Sequence, residues 1–236
     1  VGATPPGNVT STRESFLAGL SHEADRFQLQ AMDALDDGSS VLVAAPTGSG
    51  KTLVAEYAIH RARTSGQRAF YTAPIKALSN QKYADLAARH GARNVGLLTG
   101  DNAVNERAPI LVMTTEVLRN MIYARSSQLE RLRYVVLDEV HYLEDAYRGP
   151  VWEEVIVHLP RRVRLVCLSA TVSNVSVGGI NGAENVPGIT TGNIDASGQA
   201  FSGVATIANI NGFASNGVPA TALNANSTIQ FGTPTP

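Results

Sequence analysis

Eight consecutive residues in the first quarter of the chain have the types and spacing needed to hold a phosphate group. A short apolar run precedes them and a helix-forming run follows; in order they are Ala45, Pro46, Thr47, Gly48, Ser49, Gly50, Lys51 and Thr52. Small residues let backbone N–H groups curl around phosphate oxygens, and the start of the helix adds a partial positive charge. In this pattern the lysine reaches the β- and γ-phosphates of a nucleotide, and the last hydroxyl binds Mg²⁺. The segment predicts a nucleotide site, with a glycine-rich turn as the simpler alternative.

A pair of acidic residues follows a second apolar run. Residues 133–137 have the composition of a buried strand, and Asp138 and Glu139 come directly after them. Asp138 is suited to hold Mg²⁺, and Glu139 to polarise the water that attacks the γ-phosphate. Adjacent carboxylates also begin solvated helices, but the phosphate loop upstream favours an NTPase site. We expect Lys51 and Asp138 to converge from neighbouring strand ends, with Lys51, Asp138 and Glu139 as the catalytic residues and Thr52 and Asp138 as the metal ligands.

The composition is that of a packed domain without a strong charge signature. A hydrophobic content of 44% is ample for a core. The net charge of −1 neither predicts nor excludes a nucleic-acid partner. The single cysteine, Cys167, excludes an internal disulfide and favours a reducing compartment, so we expect a cytoplasmic protein. No apolar run approaches the length of a membrane span, and no membrane association is expected.

The charge distribution changes abruptly near Asn174. Residues 1–174 carry all 19 lysines and arginines, whereas residues 175–236 contain only Glu184 and Asp195 as charges. That second segment is rich in Gly, Asn, Ala, Ser and Thr, which is typical of a poorly ordered tail or of short β-strands. The sequence therefore predicts an N-terminal extension (1–14), one domain (15–174) and a low-complexity C-terminal tail (175–236).

Within the domain, strand-like and helix-like runs alternate. This alternation predicts an α/β fold with a mainly parallel sheet flanked by helices. The predicted strands are 41–45, 68–73, 94–98, 109–113, 133–138 and 163–168, and the predicted helices are 27–36, 51–64, 75–89, 115–123 and 149–158. Polar residues follow all six strands, and ligands of open α/β sheets bind outside the carboxyl ends of strands. We therefore expect all the candidate sites along one edge.

These motifs, in their order and spacing, resemble the DExH-box helicases of superfamily 2. The nearest resemblance is to the superkiller and exosome-associated RNA helicases and their bacterial HelY-like relatives. It extends from about residue 15 to residue 174, and the segments that carry it are 27–28, 45–52, 71–83 (YTAPIKALSNQKY), 97–101 (LLTGD), 113–121 (MTTEVLRNM), 138–142 (DEVHY), 148–154 (RGPVWEE) and 169–174 (SATVSN). The resemblance implies a RecA-like P-loop NTPase domain.

The resemblance also implies roles for residues outside the phosphate loop. Phe27 would stack on adenine and Gln28 would bind its edge, while His141, Ser169 and Thr171 would couple the state of the nucleotide to movement along a strand. The residues implied to grip nucleic-acid phosphates, without reading their sequence, are Pro74, Lys76, Asn80, Gly100, Thr114, Thr115 and Arg119. Each has a simpler alternative as a core aromatic, a polar strand end or a solvated helix residue.

In such helicases, ATP is enclosed between two RecA-like domains, and the second supplies arginine fingers worth roughly 10³–10⁵ in rate. The tail cannot replace that domain because it contains no arginine or lysine. We therefore expect a monomer that binds ATP, Mg²⁺ and single-stranded RNA (or DNA), with little hydrolysis or unwinding. Two alternatives stay open: a DNA helicase or translocase fragment of the same superfamily, and a non-catalytic fusion or binding module.

Overall fold

A computed structural model describes residues 7–140 and 149–170, together with three short strands at 175–177, 203–207 and 229–231. Two predicted coupling residues, His141 and Thr171, lie outside these ranges. Among the helices described, none has the length and apolar content required to cross a membrane.

Six α-helices are present in the described residues. They are α1 (Gly7–Ala18), α2 (Arg26–Asp36), α3 (Thr52–Thr64), α4 (Lys76–His90), α5 (Thr115–Tyr123) and α6 (Gly149–His158). The bounds of α2 to α6 agree with the predicted helices to within one residue. Helix α1 was not predicted, and it runs across the position where the sequence suggested that the domain begins. It packs on the domain through Phe16, whose ring centroid lies 5.1 Å from that of Tyr57 on α3.

The strands form one large sheet and one small one. They are β1 (Ser40–Ala44), β2 (Arg68–Ala73), β3 (Val95–Leu98), β4 (Ala103–Val104), β5 (Ile110–Thr114), β6 (Leu132–Leu137), β7 (Arg164–Ser169), β8 (Val175–Val177), β9 (Gly203–Ile207) and β10 (Ile229–Phe231). The large sheet has the order β4-β3-β5-β2-β6-β7-β1-β9, while β8 and β10 pair separately. Its six central strands are mutually parallel, and β4 and β9 join the edges antiparallel. The predicted α/β fold with a mainly parallel sheet is confirmed.

Both faces of the sheet are covered by helices, which explains the apolar composition of its strands. Alternate residues of one strand enter different cores: Val41 and Val43 pack with α2 and α3, whereas Leu42 packs with the core that contains Trp152 of α6. Because both faces are buried, polar chemistry is confined to the ends of the strands. The parallel order brings the carboxyl ends of the six central strands to one edge, as the sequence predicted.

Candidate functional site

The loop between β1 and α3 has a backbone that only glycine adopts readily. Gly48 and Gly50 have φ angles of +85° and +81°, in the left-handed region. A Cβ atom at Gly50 would lie 2.6 Å from Nε2 of Gln28, so a larger residue there would also displace a neighbour. Such a glycine-dependent turn directly before a helix is what the phosphate-binding interpretation requires.

Two polar groups in this loop fit an anionic ligand. Lys51 is only 8% exposed, and its Nζ donates to the carbonyl oxygens of Ala45 at 3.2 Å and Pro46 at 3.4 Å. No carboxylate within the described ranges pairs with this buried ammonium group. The Ser49 hydroxyl is also buried and has no hydrogen-bond partner among the described residues. Buried polar groups normally have partners, and phosphate oxygens would satisfy both groups.

Asp138, directly after β6, is 7% exposed and is held from several sides. Its Oδ2 accepts a hydrogen bond from the Tyr71 hydroxyl at 2.5 Å, and its Oδ1 accepts one from the Glu139 N–H at 3.0 Å. Lys82 Nζ lies 3.8 Å from the same Oδ2 and 5.6 Å from the centroid of the Tyr71 ring. Burial and the nearby Asp138 raise the pKa of Tyr71 well above its usual value, so this hydroxyl remains a donor. The carboxylate is thereby fixed in one orientation.

The sequence had not identified Tyr71 or Lys82 as individual site residues. Both occur in the segment 71–83 that carries the family resemblance. Nothing in their local pattern indicates that they approach Asp138, which comes 67 positions after Tyr71 and 56 positions after Lys82. Only the parallel pairing of β2 with β6, in which Tyr71 lies opposite Val136, brings the ring to the end of β6.

Glu139 has a backbone conformation that is unusual for a residue with a side chain. Its φ is +58°, and such left-handed conformations cost roughly 1–2 kcal/mol in residues other than glycine. Strained conformations of this kind are concentrated at functional sites, where the surrounding structure maintains them. Here the Glu139 N–H donates to Asp138 Oδ1, and the side chain of Glu139 is less buried than that of Asp138.

The expectation that Lys51 and Asp138 arise from neighbouring strands is wrong in one detail. Strand β7 lies between β1 and β6, so the two loops are separated by one strand. The end of this strand provides a connection: the Ser169 carbonyl oxygen accepts a hydrogen bond from the Ala45 N–H at 3.1 Å. Ser169 itself is fully buried. A predicted coupling residue therefore lies directly against the first residue of the phosphate loop.

Gln28 also contacts the phosphate loop. Its Nε2 donates to the Gly50 carbonyl oxygen at 2.9 Å, and its Oε1 accepts from the Asp25 N–H at 2.8 Å. Phe27, its neighbour, is partly buried and packs against the core beside α3. Gln28 thus links the start of α2 to the phosphate loop through hydrogen bonds. The adenine contacts predicted for Phe27 and Gln28 stay predictions.

The oxygen donors at this edge are few, which fits Mg²⁺ better than a metal ion whose ligands all come from protein side chains. Among the residues described, no group of three or more His, Cys, Asp or Glu side chains is placed to hold a metal ion. Mg²⁺ typically takes only one or two protein ligands and completes its octahedron with water and phosphate oxygens. Thr52, at the start of α3, and the buried Asp138 are the two oxygen donors that would hold it.

The residues predicted to grip nucleic acid lie at the ends of three adjacent strands or in the first turns of the helices that follow two of them. Because the sheet order runs β3-β5-β2, the segments after these parallel strands leave the same edge of the sheet, and the predicted residues in them are Pro74, Lys76, Asn80, Gly100, Thr114, Thr115 and Arg119. We refer to this set as the upper surface. Its two cations already have acidic partners: Lys76 forms an ion pair with Asp101, and Arg119 Nε lies 3.7 Å from a Glu154 carboxylate oxygen. The buried hydroxyl of Thr115 has no hydrogen-bond partner within the described ranges.

Comparison with known proteins identifies the family. The model of the family described as "DEAD/DEAH box helicase" matches residues 25–177. The chain belongs to the DEAD/DEAH box helicase family. Among curated relatives, the probable helicase HelY of Mycobacterium leprae is 57% identical over 76% of this chain, and a chloroplastic DExH-box ATP-dependent RNA helicase of Arabidopsis thaliana is 53% identical over 64%. These relatives confirm the resemblance seen in the sequence.

A solved structure agrees with this assignment. The helicase Lhr of Mycobacterium smegmatis, bound to single-stranded DNA and AMP-PNP, has a TM-score of 0.53 and is 33% identical over 69% of this chain. The helicase-family chain described here is much shorter than these relatives. It covers 20% of HelY, 13% of the Arabidopsis helicase and 24% of the Lhr chain.

Proposed function

We propose that this chain is the ATP-binding, first RecA-like domain of an ATP-dependent DExH-box RNA helicase. The observation that carries the proposal is the loop at 45–52. It contains a buried lysine without an acidic partner and a buried serine hydroxyl without a hydrogen-bond partner among the described residues, and an anion would bind both. One strand further along the sheet, a fixed aspartate ends β6. Family membership and the nucleotide analogue bound by the similar helicase Lhr support the proposal.

In this proposal, the loop amides and Lys51 bind the triphosphate, and Thr52 and Asp138 bind Mg²⁺. The metal ion, when bound, neutralises charge on the β- and γ-phosphates. Glu139, whose backbone is left-handed, orients and deprotonates the attacking water. Phe27 and Gln28 select adenine. The contact of Gln28 with the Gly50 carbonyl oxygen supports this assignment.

The strand end at Ser169 supports a coupling role. A shift of the phosphate loop would move the Ala45 N–H that donates to the Ser169 carbonyl oxygen. Thr171 and His141 complete the predicted set, and together these residues would transmit nucleotide binding to the upper surface. Binding of a single strand there would use hydroxyls, backbone groups and the cations Lys76 and Arg119, which would exchange their acidic partners for phosphates.

RNA is the favoured nucleic acid, because a relative 53% identical over most of this domain is named an RNA helicase. DNA is the second candidate, because the similar helicase Lhr is bound to single-stranded DNA. We further propose that a second RecA-like domain supplies the arginine fingers. The 236-residue chain by itself, acting as a cytoplasmic monomer, would therefore bind ATP but turn it over slowly, since residues 175–236 contain no arginine.

Titration of the full chain with ATP, in the presence and absence of Mg²⁺, tests this proposal. We expect the parent chain to bind ATP and Lys51→Ala to lose this binding. Asp138→Asn should bind ATP more weakly than the parent when Mg²⁺ is present, and as tightly as the parent when it is absent. Circular dichroism spectra of each variant are the control for folding, because both side chains are buried and their replacement could unfold the chain. Equal ATP binding by a folded Lys51→Ala variant would instead make the chain a non-catalytic binding module. Fast RNA-stimulated turnover by the chain alone would disprove the need for a second domain.

A further inference from the structure

Arginines are concentrated at the edge of the sheet opposite the nucleotide site. The segments that lead into five of the parallel strands are 63–68, 91–95, 105–110, 124–133 and 159–164. Together they contain ten arginines, no lysine and only two acidic residues, although the whole chain has a net charge of −1. We call these ten residues the arginine edge: Arg63, Arg68, Arg93, Arg107, Arg125, Arg131, Arg133, Arg161, Arg162 and Arg164. Because the strands are parallel, all these segments lie at their amino ends, away from the phosphate loop.

A cleft of about 350 Å³ opens in this edge. Four members of the arginine edge line it, namely Arg63, Arg68, Arg107 and Arg131, together with Gly66, Gln67, Asn94 and Pro109. Within the part of the chain that the structure describes, no carboxylate lies within ion-pair distance of these four guanidinium groups. Four positive charges therefore share one concave site without acidic compensation.

Two of these arginines are held by backbone carbonyl groups, and three of the four (Arg63, Arg107 and Arg131) are exposed. Arg68 is partly buried and donates to the carbonyl oxygens of Glu106 at 2.8 Å and Ala108 at 2.9 Å, and Arg131 donates to that of Gly66. Carbonyl groups orient a guanidinium but do not cancel its charge. Burial and the nearby Arg131 lower the pKa of Arg68, as expected for a cation placed beside another cation. Arg63 and Arg107 are exposed cleft residues without a carbonyl partner of this kind among the described residues, and Nη1 of Arg63 lies 3.2 Å from Nδ1 of His90.

Helix dipoles explain only part of this concentration. Arg63 is in the last turn of α3, where a positive charge is stabilised by the carbonyl end of the helix. Arg107 follows the short strand β4, and Arg131 follows a single-turn 3₁₀ helix at Ser127–Leu129, so neither gains from an α-helix terminus. The surplus charge therefore indicates a ligand.

The geometry points to the phosphodiester backbone of a nucleic-acid strand as that ligand, and we propose that the cleft is a second phosphate-binding site. Guanidinium groups match phosphate oxygens in bidentate geometry. Since the strand order is β3-β5-β2-β6-β7, the arginine edge extends over four strand spacings, or about 19 Å. This length exceeds one phosphate and suits a chain of them. The inference does not depend on the nucleotide site, and it contrasts with the upper surface, where both cations already have acidic partners.

The test measures binding of a fluorescent single-stranded oligouridylate to the full chain, without ATP, over a range of salt concentrations. Each phosphate contact to a single strand contributes roughly 0.7 to the slope of log affinity against log salt. We expect Arg107→Ala to reduce the slope by about 0.7, and Arg63→Ala combined with Arg107→Ala to reduce it by about 1.4. The double variant should then bind about 25-fold more weakly at roughly 0.1 M salt. Arg26→Ala, which removes an exposed arginine outside the arginine edge, is the matched control and should keep the parental slope.

The result can also go against the proposal. A double variant that is folded and retains the parental slope and affinity would overturn it. The proposal would also be overturned if a polyglutamate peptide bound more tightly than the oligonucleotide, and if the double variant weakened binding of the peptide but not of the oligonucleotide. The cleft would then bind an acidic polypeptide. ATP affinity is measured in parallel and should remain parental in both arginine variants. Failure of the parent chain to bind ATP would count against the proposed function and leave this inference standing.

Discussion

Replacing Tyr71 with phenylalanine removes one hydroxyl and leaves the shape of the core nearly unchanged. The lost atom donates to Asp138 Oδ2 at 2.5 Å, between a tyrosine that is 1% exposed and an aspartate that is 7% exposed. Hydrogen bonds to charged groups contribute roughly 1.5–3 kcal/mol to stability. If Asp138 binds Mg²⁺, the hydroxyl also orients a metal ligand, and loss of such a supporting contact typically weakens metal binding about 10- to 100-fold.

The assay is nucleotide binding measured as a function of Mg²⁺ concentration. We expect Tyr71→Phe to need about 10- to 100-fold more Mg²⁺ for tight ATP binding, equivalent to roughly 1.4–2.7 kcal/mol. Affinity for ATP in the presence of a chelator should be unchanged, since Lys51 and the loop amides are not altered. Thermal unfolding should report a loss of stability as well, because the buried carboxylate loses its donor.

Tyr57→Phe provides a matched control. Tyr57 is fully buried, and its hydroxyl donates to Asp36 Oδ1 at 2.6 Å, so the chemistry of the bond is the same. Asp36, however, is at the end of α2, before β1, and therefore far from the phosphate loop. We expect this variant to lose stability but to keep the parental Mg²⁺ requirement. An unchanged requirement in Tyr71→Phe, or an equal shift in both variants, would refute the reasoning.

Three further predictions follow from individual residues. Gly50→Ala should lower both ATP affinity and stability more than Gly48→Ala. Both glycines have left-handed φ angles, but only a Cβ atom at Gly50 would meet a neighbour, Gln28 Nε2 at 2.6 Å. Equal losses of stability of the two variants in urea titrations would contradict this. Burial lowers the pKa of His90 to about 4 in the folded chain, whereas its pKa in the unfolded chain is about 6.5. Between these two pH values the unfolded chain binds a proton at His90 that the folded chain does not bind. Stability should therefore fall between pH 6.5 and pH 4, by about 1 kcal/mol at pH 5 after allowance for partial exposure, and less in His90→Gln. Burial raises the pKa of the Cys167 thiol to about 12, so a thiol reagent should modify it only at the rate of unfolding; rapid labelling of the native chain would show an open core.

The predicted helices and strands of the domain were accurate because their signals are local. Strands β2 and β6 are apolar on both faces, and α3 begins at a glycine-rich loop, so neighbouring residues alone indicate where each element starts and ends. Helix α1 was missed because its only large apolar residues in GNVTSTRESFLA are Val9, Phe16 and Leu17, too few to mark an apolar stripe. Its position depends on contact with Tyr57, a residue about forty positions away.

The candidate site divides in the same way. Lys51, Thr52, Asp138 and Glu139 were found because each occurs in a short pattern whose chemistry is recognisable without the rest of the chain. Tyr71 has no such pattern. Its role at Asp138 depends on the pairing of two strands that are far apart in the sequence.

The sequence by itself determined where helices α2 to α6 and the six central strands lie, and which chemical groups follow each of these strands. It also determined the number and sign of the charges in every connecting segment. Only the tertiary structure decided the order of the strands, with β7 between β1 and β6, and with it the Ser169 contact to the phosphate loop. The same order gathered ten arginines from five distant segments into one edge. The reason is physical: local preferences depend on neighbours along the chain, whereas strand order is set by long-range packing of buried faces, which no single segment encodes.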